Sequence, residues 1–260
     1  MSFIKKNILK NLPEKSACPA LDLVVVMPVY NEEKILSRVI RQWQDVLNQA
    51  GINYDFVIVN DGSKDRTGLI LKQLKNQAPK AFTILSQVNF GHGHAIRKGY
   101  EKAVQLNPAW VLQIDSDGQC RPDYFPGFWS LRKHQTCIFG NRVVRKDGRL
   151  RFIMSRICSL VIFVFSGLWI KDANVPFRLM PCNVLNTALK KIPPDIELQN
   201  IALSIFIRKY MGTICLDIPI VFQNRQEAGR GLKFLQILRS GCCGMIQIFL
   251  SLKKELRHDS

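Results

Sequence analysis

Asp115 and Asp117, with Gln119 close behind, are the residues of this 260-residue chain best equipped for chemistry. They follow Ala109-Trp110-Val111-Leu112-Gln113-Ile114, a short, mostly apolar, β-rich run suited to the interior of a parallel sheet. Cys120-Arg121-Pro122 then breaks regular structure. The pair therefore falls at the carboxyl end of a strand, where open α/β sheets bind their ligands. Two carboxylates this close repel each other unless a cation joins them, and hard oxygen donors suit Mg2+ or Mn2+. Such an ion would bridge to a nucleotide diphosphate. Taken alone, the five residues from Asp115 to Gln119 read as a turn with two solvated acids, because Asp is common in turns. The rest of the chain reverses that reading.

The elements that would carry these residues repeat through the first half. Leu21 to Met27 is a near-continuous apolar strand, expected to end at Pro28. Asn31 is placed to cap a helix whose apolar positions Ile35, Val39, Ile40, Trp43 and Leu47 recur at helical spacing, and Gly51 ends it. Tyr54 to Val59 is a second strand, followed by the turn signal Asn60-Asp61-Gly62-Ser63. Asp65-Arg66-Thr67 opens a second helix through Leu69, Leu71 and Leu74. Phe82 to Leu85 is a third strand, Asn89 to Gly93 a Gly/His loop, and Ala95 to Leu106 a third helix. Strands alternating with helices imply βαβ units and a parallel sheet.

A dinucleotide-binding fold is the obvious competitor. The first strand-to-helix turn, Pro28-Val29-Tyr30-Asn31-Glu32, has no glycine to let a pyrophosphate approach the backbone. The Gly91-x-Gly93 loop has Ile96 where a third glycine would stand, and no GxxxxGK[ST] occurs. The first turn offers instead a ring, an amide and carboxylates, and Asp61 adds another. These suit a ribose and a base edge, leaving the phosphate charge to a metal.

Composition narrows the partners. Net charge is +17, with 47% hydrophobic residues, fifteen Phe and four Trp, which describes a globular protein with an anionic partner. The eight cysteines show no CxxC pair and read as reduced, mostly core thiols. Met1 to Lys10 lacks an apolar core segment, so no secretory leader is expected there. A non-enzymatic nucleic-acid- or lipid-binding protein would also explain the charge. It would not require carboxylates at three strand ends, and no nucleic-acid motif appears.

In order, Pro28-Val29-Tyr30-Asn31-Glu32-Glu33, Asn60-Asp61-Gly62-Ser63-x-Asp65-x-Thr67, Asn89-x-Gly91-x-Gly93-x-Ala95 and Asp115-x-Asp117-x-Gln119 resemble family-2 glycosyltransferases of GT-A fold. Gly140-Asn141-Arg142, Asp172 with Phe177-Arg178-Leu179, and Ile218-Pro219-Ile220 with Arg225 and Gly229 are similar to the polyprenyl- and dolichol-phosphate mannose synthase branch. Pro176 stands where that branch usually has Gly, and Arg225-x-x-x-Gly229-x-Gly231 departs from its Arg-x-x-Gly-x-Ser. The resemblance implies a Rossmann-like, mostly parallel sheet flanked by helices. It implies Pro28, Tyr30, Asn31, Glu32, Asp61 and Gly91 around the nucleotide, and Asp115, Asp117 and Gln119 around Mg2+ or Mn2+ and the sugar diphosphate. Arg142, Arg178 and Arg225 would face phosphates of donor or acceptor. The implied reaction is inverting transfer from a UDP- or GDP-sugar to a polyprenyl phosphate, or alternatively to a glycan hydroxyl.

The acceptor decides whether a protein base is needed. A lipid monophosphate, with a second pKa of about 6, attacks unaided, whereas a hydroxyl needs a positioned carboxylate. Asp195 and Glu197 are the later acids best placed for that, and they also read as an acidic first helical turn after Pro193-Pro194. His92 and His94 offer phosphate contacts or are simply mobile loop histidines. Ile157 to Ile170 and Ser240 to Leu252 are free of charge and flanked by base, and both fall short of the roughly 18 to 20 residues that span a bilayer. They suit the plane of an anionic membrane surface, although the first also reads as a buried core helix. The expected organisation is an extension over 1–20, a catalytic domain over 21–233 (nucleotide-sugar half 21–120, acceptor half 121–233) and a basic amphipathic segment over 234–260. The expected location is cytoplasmic, peripheral at the inner membrane face, with an integral-membrane protein as a further candidate partner.

Overall fold

The computed structural model describes residues 21–223 except 134 and 146–148, with the side chains of 144–155 also outside the description. The strands are β1 (Leu23–Val29), β2 (Tyr54–Asp61), β3 (Phe82–Gln87), β4 (Trp110–Gln113), β5 (Thr136–Arg145), β6 (Arg178–Pro181) and β7 (Ile214–Phe222). The α-helices are α1 (Leu36–Gln49), α2 (Thr67–Gln77), α3 (His92–Gln105), α4 (Phe125–Ser130), α5 (Arg149–Ser166), α6 (Cys182–Lys191) and α7 (Gln199–Tyr210). One sheet of order β3-β2-β1-β4-β6-β5-β7 runs through the described residues. β1 to β4 are parallel, β6 is antiparallel to both β4 and β5, and β5 and β7 are again parallel. The two expected halves thus share a single sheet through the β4–β6 pairing.

The order places β1 and β2 with β3 on one side and β4 on the other, so the chain reverses its direction of travel between β1 and β4. The crevice at their carboxyl ends is where a doubly wound sheet binds its ligand. β1 is buried along its whole length, as a central parallel strand requires. It does not stop before Pro28: the strand continues through Val29, with Pro28 opposite Val59. Val26 directs its carbonyl toward β4, so Pro28, two residues on, turns its missing donor to the same side. The register with β4 ends at Val26↔Gln113, so no partner there waits for that donor.

Helix α1 buries Val39, Ile40, Trp43 and Leu47, positions its spacing predicts, together with Leu36. It begins at Leu36 after Ile35, and Asn31 does not cap it. Asn31 adopts φ +54, and its Oδ1 accepts the Lys64 N–H at 2.8 Å. In α2, Leu71 is buried and Leu69 is exposed. Of the described cysteines, Cys120, Cys137 and Cys182 are buried and all five are free thiols.

Helix α5 is turned inside out. Among its described side chains, Ser159, Ile162 and Ser166, spaced three and four residues apart, are the buried ones. Ile157, Leu160, Phe163, Val164 and Phe165 are exposed, with Trp169 exposed just beyond the helix. Hydrogen bonds fix this orientation. Ser159 Oγ donates to the Lys171 carbonyl at 3.3 Å, and Lys209 Nζ donates to the Ser166 carbonyl at 2.7 Å. Ser166 Oγ donates to the Ile162 carbonyl at 2.6 Å and accepts the Leu168 N–H at 3.1 Å. No helix among the described residues is long and apolar enough to cross a membrane. The stretch over 240–252, with its basic flanks, and the extension over 1–20 lie outside the described residues.

Candidate active site

Three strand-end loops converge on the β1/β4 crevice, and backbone hydrogen bonds stitch them together. After β1, Asn31 N–H donates to Ser63 Oγ at 3.0 Å, Glu32 N–H to Thr67 Oγ1 at 2.9 Å, and Glu33 N–H to Asp65 Oδ2 at 3.2 Å. In return Glu33 Oε2 accepts the Arg66 N–H at 2.8 Å. Asp65 Oδ1 accepts the Thr67 N–H, and these hydrogen bonds hold its carboxyl below the usual range against the opposing pull of burial. The Glu32 side chain is buried beside this seam, while Tyr30 stands exposed at the rim.

Asp61, at the end of β2, is 4% exposed and directs its carboxylate into the Gly loop rather than outward. Its Oδ1 accepts Gln87 Nε2 at 2.7 Å and the Phe90 N–H at 3.0 Å, and its Oδ2 accepts the Gly91 N–H at 3.0 Å. The carboxylate holds the loop that starts α3. Helix α3 begins at His92 rather than at Ala95, directly after the Phe90 and Gly91 amides that Asp61 holds. Gly91 takes φ +97, a conformation only glycine adopts without strain.

On the other side of the crevice, Ile114 N–H bonds Val26 O at 3.1 Å, and Asp115 emerges past the end of β4. Asp115 Oδ1 is buried and accepts no hydrogen bond. His92 Nε2 faces it at 3.6 Å, with 54% of the His92 side chain and 23% of that of Asp115 exposed. Asp117 Oδ1 accepts the Gln119 N–H at 3.0 Å, forming a turn that keeps the two acids on one loop. Gln119 is buried, and its Nε2 donates to the Gln223 carbonyl at 2.9 Å, which ties this loop to the end of β7. Behind the loop Tyr100 Oη donates to Gln113 Oε1 at 2.5 Å, and burial raises the Tyr100 pKa.

A partnerless buried carboxylate oxygen is costly unless something cationic satisfies it. Asp115 and Asp117, with the Gln119 amide oxygen, form an oxygen donor set that fits Mg2+ or Mn2+. Among the described residues, no cluster of three His, Cys, Asp or Glu side chains is placed to hold an ion by itself. The ion would therefore need oxygens from a bound diphosphate.

Arg178 corrects the expectation. Arg178 is 0% exposed and does not face any phosphate. Its guanidinium donates to the carbonyls of Val175 (2.6 Å), Asn200 (2.8 Å) and Ala173 (2.5 Å) and to Ser204 Oγ (3.0 Å). Burial pushes its pKa down to about 10. β6 lies between β4 and β5, and the arginine fastens α7 and the loop before β6 to that strand. Arg142 forks onto Asp172, Nε to Oδ2 at 2.6 Å and Nη2 to Oδ1 at 2.7 Å, with its guanidinium 5.2 Å from the Phe222 ring centre. Its charge is thus met by the Asp172 carboxylate. Arg225 and Gly229 lie outside the described residues.

Asp195 and Glu197 are exposed and precede α7, which starts at Gln199, so they do not form its first turn. Gln199 Nε2 donates to the carbonyls of Pro193, Pro194 and Ile196, and Arg97 donates to those of Leu189 and Ile192. The turn so held lies on the first turn of α3. A Cβ built on Gly93 would sit 1.8 Å from the Glu197 carbonyl oxygen, so only glycine admits this approach. Two residues gain importance over their sequence reading. His92 is a fixed helix-start residue, and Asp172 is the partner that orients Arg142.

The family model described as glycosyl transferase family 2 matches residues 24–190. A dolichyl-phosphate beta-glucosyltransferase of Trichomonas vaginalis is 31% identical over 172 residues, 60% of this chain and 52% of that protein. An uncharacterized glycosyltransferase of Bacillus subtilis is 38% identical over 178 residues, 65% of this chain and 53% of that one. An undecaprenyl-phosphate 4-deoxy-4-formamido-L-arabinose transferase of Pseudomonas fluorescens is 26% identical, covering 64% and 48%. The chain thus spans about half the length of these relatives. Glucosyl-3-phosphoglycerate synthase of Mycobacterium tuberculosis superposes with a TM-score of 0.58 at 17% identity, over 90% of this chain and 80% of that one. A structure of that enzyme with Mn2+, uridine diphosphate and glucosyl-3-phosphoglycerate superposes at 0.57 and 16% identity, over 91% and 80%. These likenesses establish the GT-A fold.

Proposed function

Because this chain belongs to glycosyl transferase family 2, we propose that it moves a sugar from a nucleoside diphosphate to a polyprenyl phosphate at a membrane surface. The observation that carries the reading is the Asp115-x-Asp117 pair at the β1/β4 switch point, with one buried oxygen that no protein group satisfies. Asp115, Asp117 and Gln119 would hold Mg2+ or Mn2+, which when bound supplies Lewis-acid stabilisation to the departing diphosphate. The chain's own groups do the rest. The stitched loops after β1 and β2 shape the nucleotide cleft, with Tyr30 at its rim and Asp61 keeping the Gly loop in place. Relatives named for dolichyl-phosphate and undecaprenyl-phosphate substrates support the acceptor class. A phosphate oxygen attacking the anomeric carbon opposite the leaving diphosphate inverts the configuration and needs no protein base.

The membrane side of the proposal rests on α5. Five apolar side chains and Trp169 face outward while serines hold the helix from within, and Arg156 and Lys171 are exposed beside them. An apolar face edged by base suits the boundary of an anionic bilayer. A second acceptor, a glycan hydroxyl, is kept in view by the Gly93–Glu197 contact, which brings a carboxylate-bearing turn beside His92 and Asp115. The test is a panel of radiolabelled UDP- and GDP-sugars with polyprenyl phosphate and Mn2+ or Mg2+. Label entering the organic phase names donor and acceptor together. Transfer to a glycan alone would make Glu197 or Asp195 the base, and no transfer to either would defeat the proposal.

A further inference from the structure

The sheet topology sets a second apolar feature along the same edge as α5. β6 runs antiparallel to both β4 and β5, so β5 points the same way as β1 to β4. The carboxyl ends of β3 and β5 therefore lie along one edge of the sheet, and α5 starts four residues after β5 ends. Past the end of β3 stand Val88 and Phe90, 74% and 66% exposed. Five strand spacings separate β3 from β5, roughly 24 Å at about 4.8 Å each. The β1/β4 crevice falls between them.

The loop that carries Val88 and Phe90 is braced from β2. Asp61 accepts the Phe90 N–H at 3.0 Å, and a Cβ built on Gly62 would meet the Asn89 nitrogen at 2.7 Å. The bracing turn also supplies base, because Lys64 and Arg66 are exposed. The acids beside them are engaged by the backbone: Asp65 accepts the Glu33 and Thr67 N–H groups, and Glu33 accepts the Arg66 N–H. Leu69, in the first turn of α2, adds a further exposed apolar side chain at this edge. An apolar tip edged by base fits the headgroup layer of an anionic bilayer.

We propose that the Val88–Phe90 loop is a second membrane anchor, seating its apolar side chains in an anionic bilayer while α5 does so on the other flank of the crevice. The inference rests on the membrane reading above. A single anchor lets the molecule pivot on the surface, whereas two anchors astride the crevice turn its mouth toward the lipid phosphates. Each binds weakly alone, and the second engages at a raised effective concentration once the first is seated.

The experiment is sedimentation of the full chain with phosphatidylglycerol–phosphatidylcholine vesicles at low salt, paired with tryptophan quenching by brominated lipids. Val88→Ser with Phe90→Ser should weaken partitioning by about tenfold or more. The melting temperature should stay near wild type, because both side chains are exposed. Val88→Trp should gain quenching beyond that of wild type, and Asn76→Trp, in the last turn of α2 and away from that edge, should gain none. If the double variant melts lower, the Val88→Trp quenching decides alone. A stable double variant that partitions as wild type, or a Val88→Trp indole that bound vesicles leave unquenched, overturns this anchor and leaves α5 as the membrane contact. Self-association without vesicles that the double variant loses would assign the loop to a second copy and overturn it too. If the wild-type chain does not sediment with the vesicles at all, the membrane reading falls with it.

Discussion

Asp61→Asn separates two accounts of a buried carboxylate. If Asp61 builds the Gly loop, its three accepted hydrogen bonds set the cost of the change. An Asn keeps one acceptor oxygen, so the best arrangement retains Gln87 and Phe90 on Oδ1 and turns an NH2 toward the Gly91 N–H. One bond to a charged group is lost and one buried donor is stranded, together about 3 kcal/mol. At 1.4 kcal/mol per decade, that is roughly a hundredfold increase in local opening. Hydrogen exchange followed by mass spectrometry over peptides spanning 88–96 reads this directly, with the β1 and β4 peptides as internal controls. Nucleotide affinity should fall in parallel, because the same loop lines the crevice. Unchanged exchange over 88–96 combined with lost nucleotide binding would refute the reasoning and return Asp61 to the nucleotide.

Other substitutions probe the same architecture. Gly93→Ala must displace the Glu197 backbone; it should abolish transfer while changing nucleotide affinity, measured by calorimetry, far less. Arg178→Met strands three carbonyls and Ser204, and denaturant titration should show a loss of about 3 to 5 kcal/mol. Asp55 is buried on β2, and burial raises its pKa despite the Thr83 hydroxyl bond at 2.8 Å. A raised folded value means stability is highest with the acid protonated and falls as pH climbs through that value. Asp55→Asn should therefore raise the melting temperature at pH 7.5 and have little effect near pH 3. Phe163→Glu with Leu160→Glu should reduce sedimentation with anionic vesicles and leave the melting temperature near wild type, because both side chains are already exposed.

Much of the nucleotide half was legible because its signals are local. The apolar run before Asp115, the stripe on α1 and the Gly51 stop each depend on neighbours in sequence, and each element stands where those signals put it. The departures are non-local. Helix α3 starts at His92 after a loop that a carboxylate from β2 holds, and no residue near His92 announces that. Arg178 looks like a phosphate ligand by type; only the antiparallel placement of β6 against β4 and β5 reveals that it is sealed inside. Arg142 likewise reads as a free fork until Asp172, thirty residues away, is seen to close on it. The orientation of α5 was partly available in the spacing of Ser159, Ile162 and Ser166. The apolar residues that surround those serines hid which face would turn inward.

The central claim is that the crevice at the ends of β1 and β4 performs metal-dependent sugar transfer to a lipid phosphate. The most direct measurement is label transferred from nucleotide sugars to polyprenyl phosphate by the wild-type chain and by Asp115→Asn, each with Mn2+, Mg2+ or a chelator. The account predicts organic-phase label from at least one donor, lost with chelator and reduced at least about a hundredfold in the variant. Transfer by Asp115→Asn equal to wild type, or wild-type transfer indifferent to chelator, would contradict it.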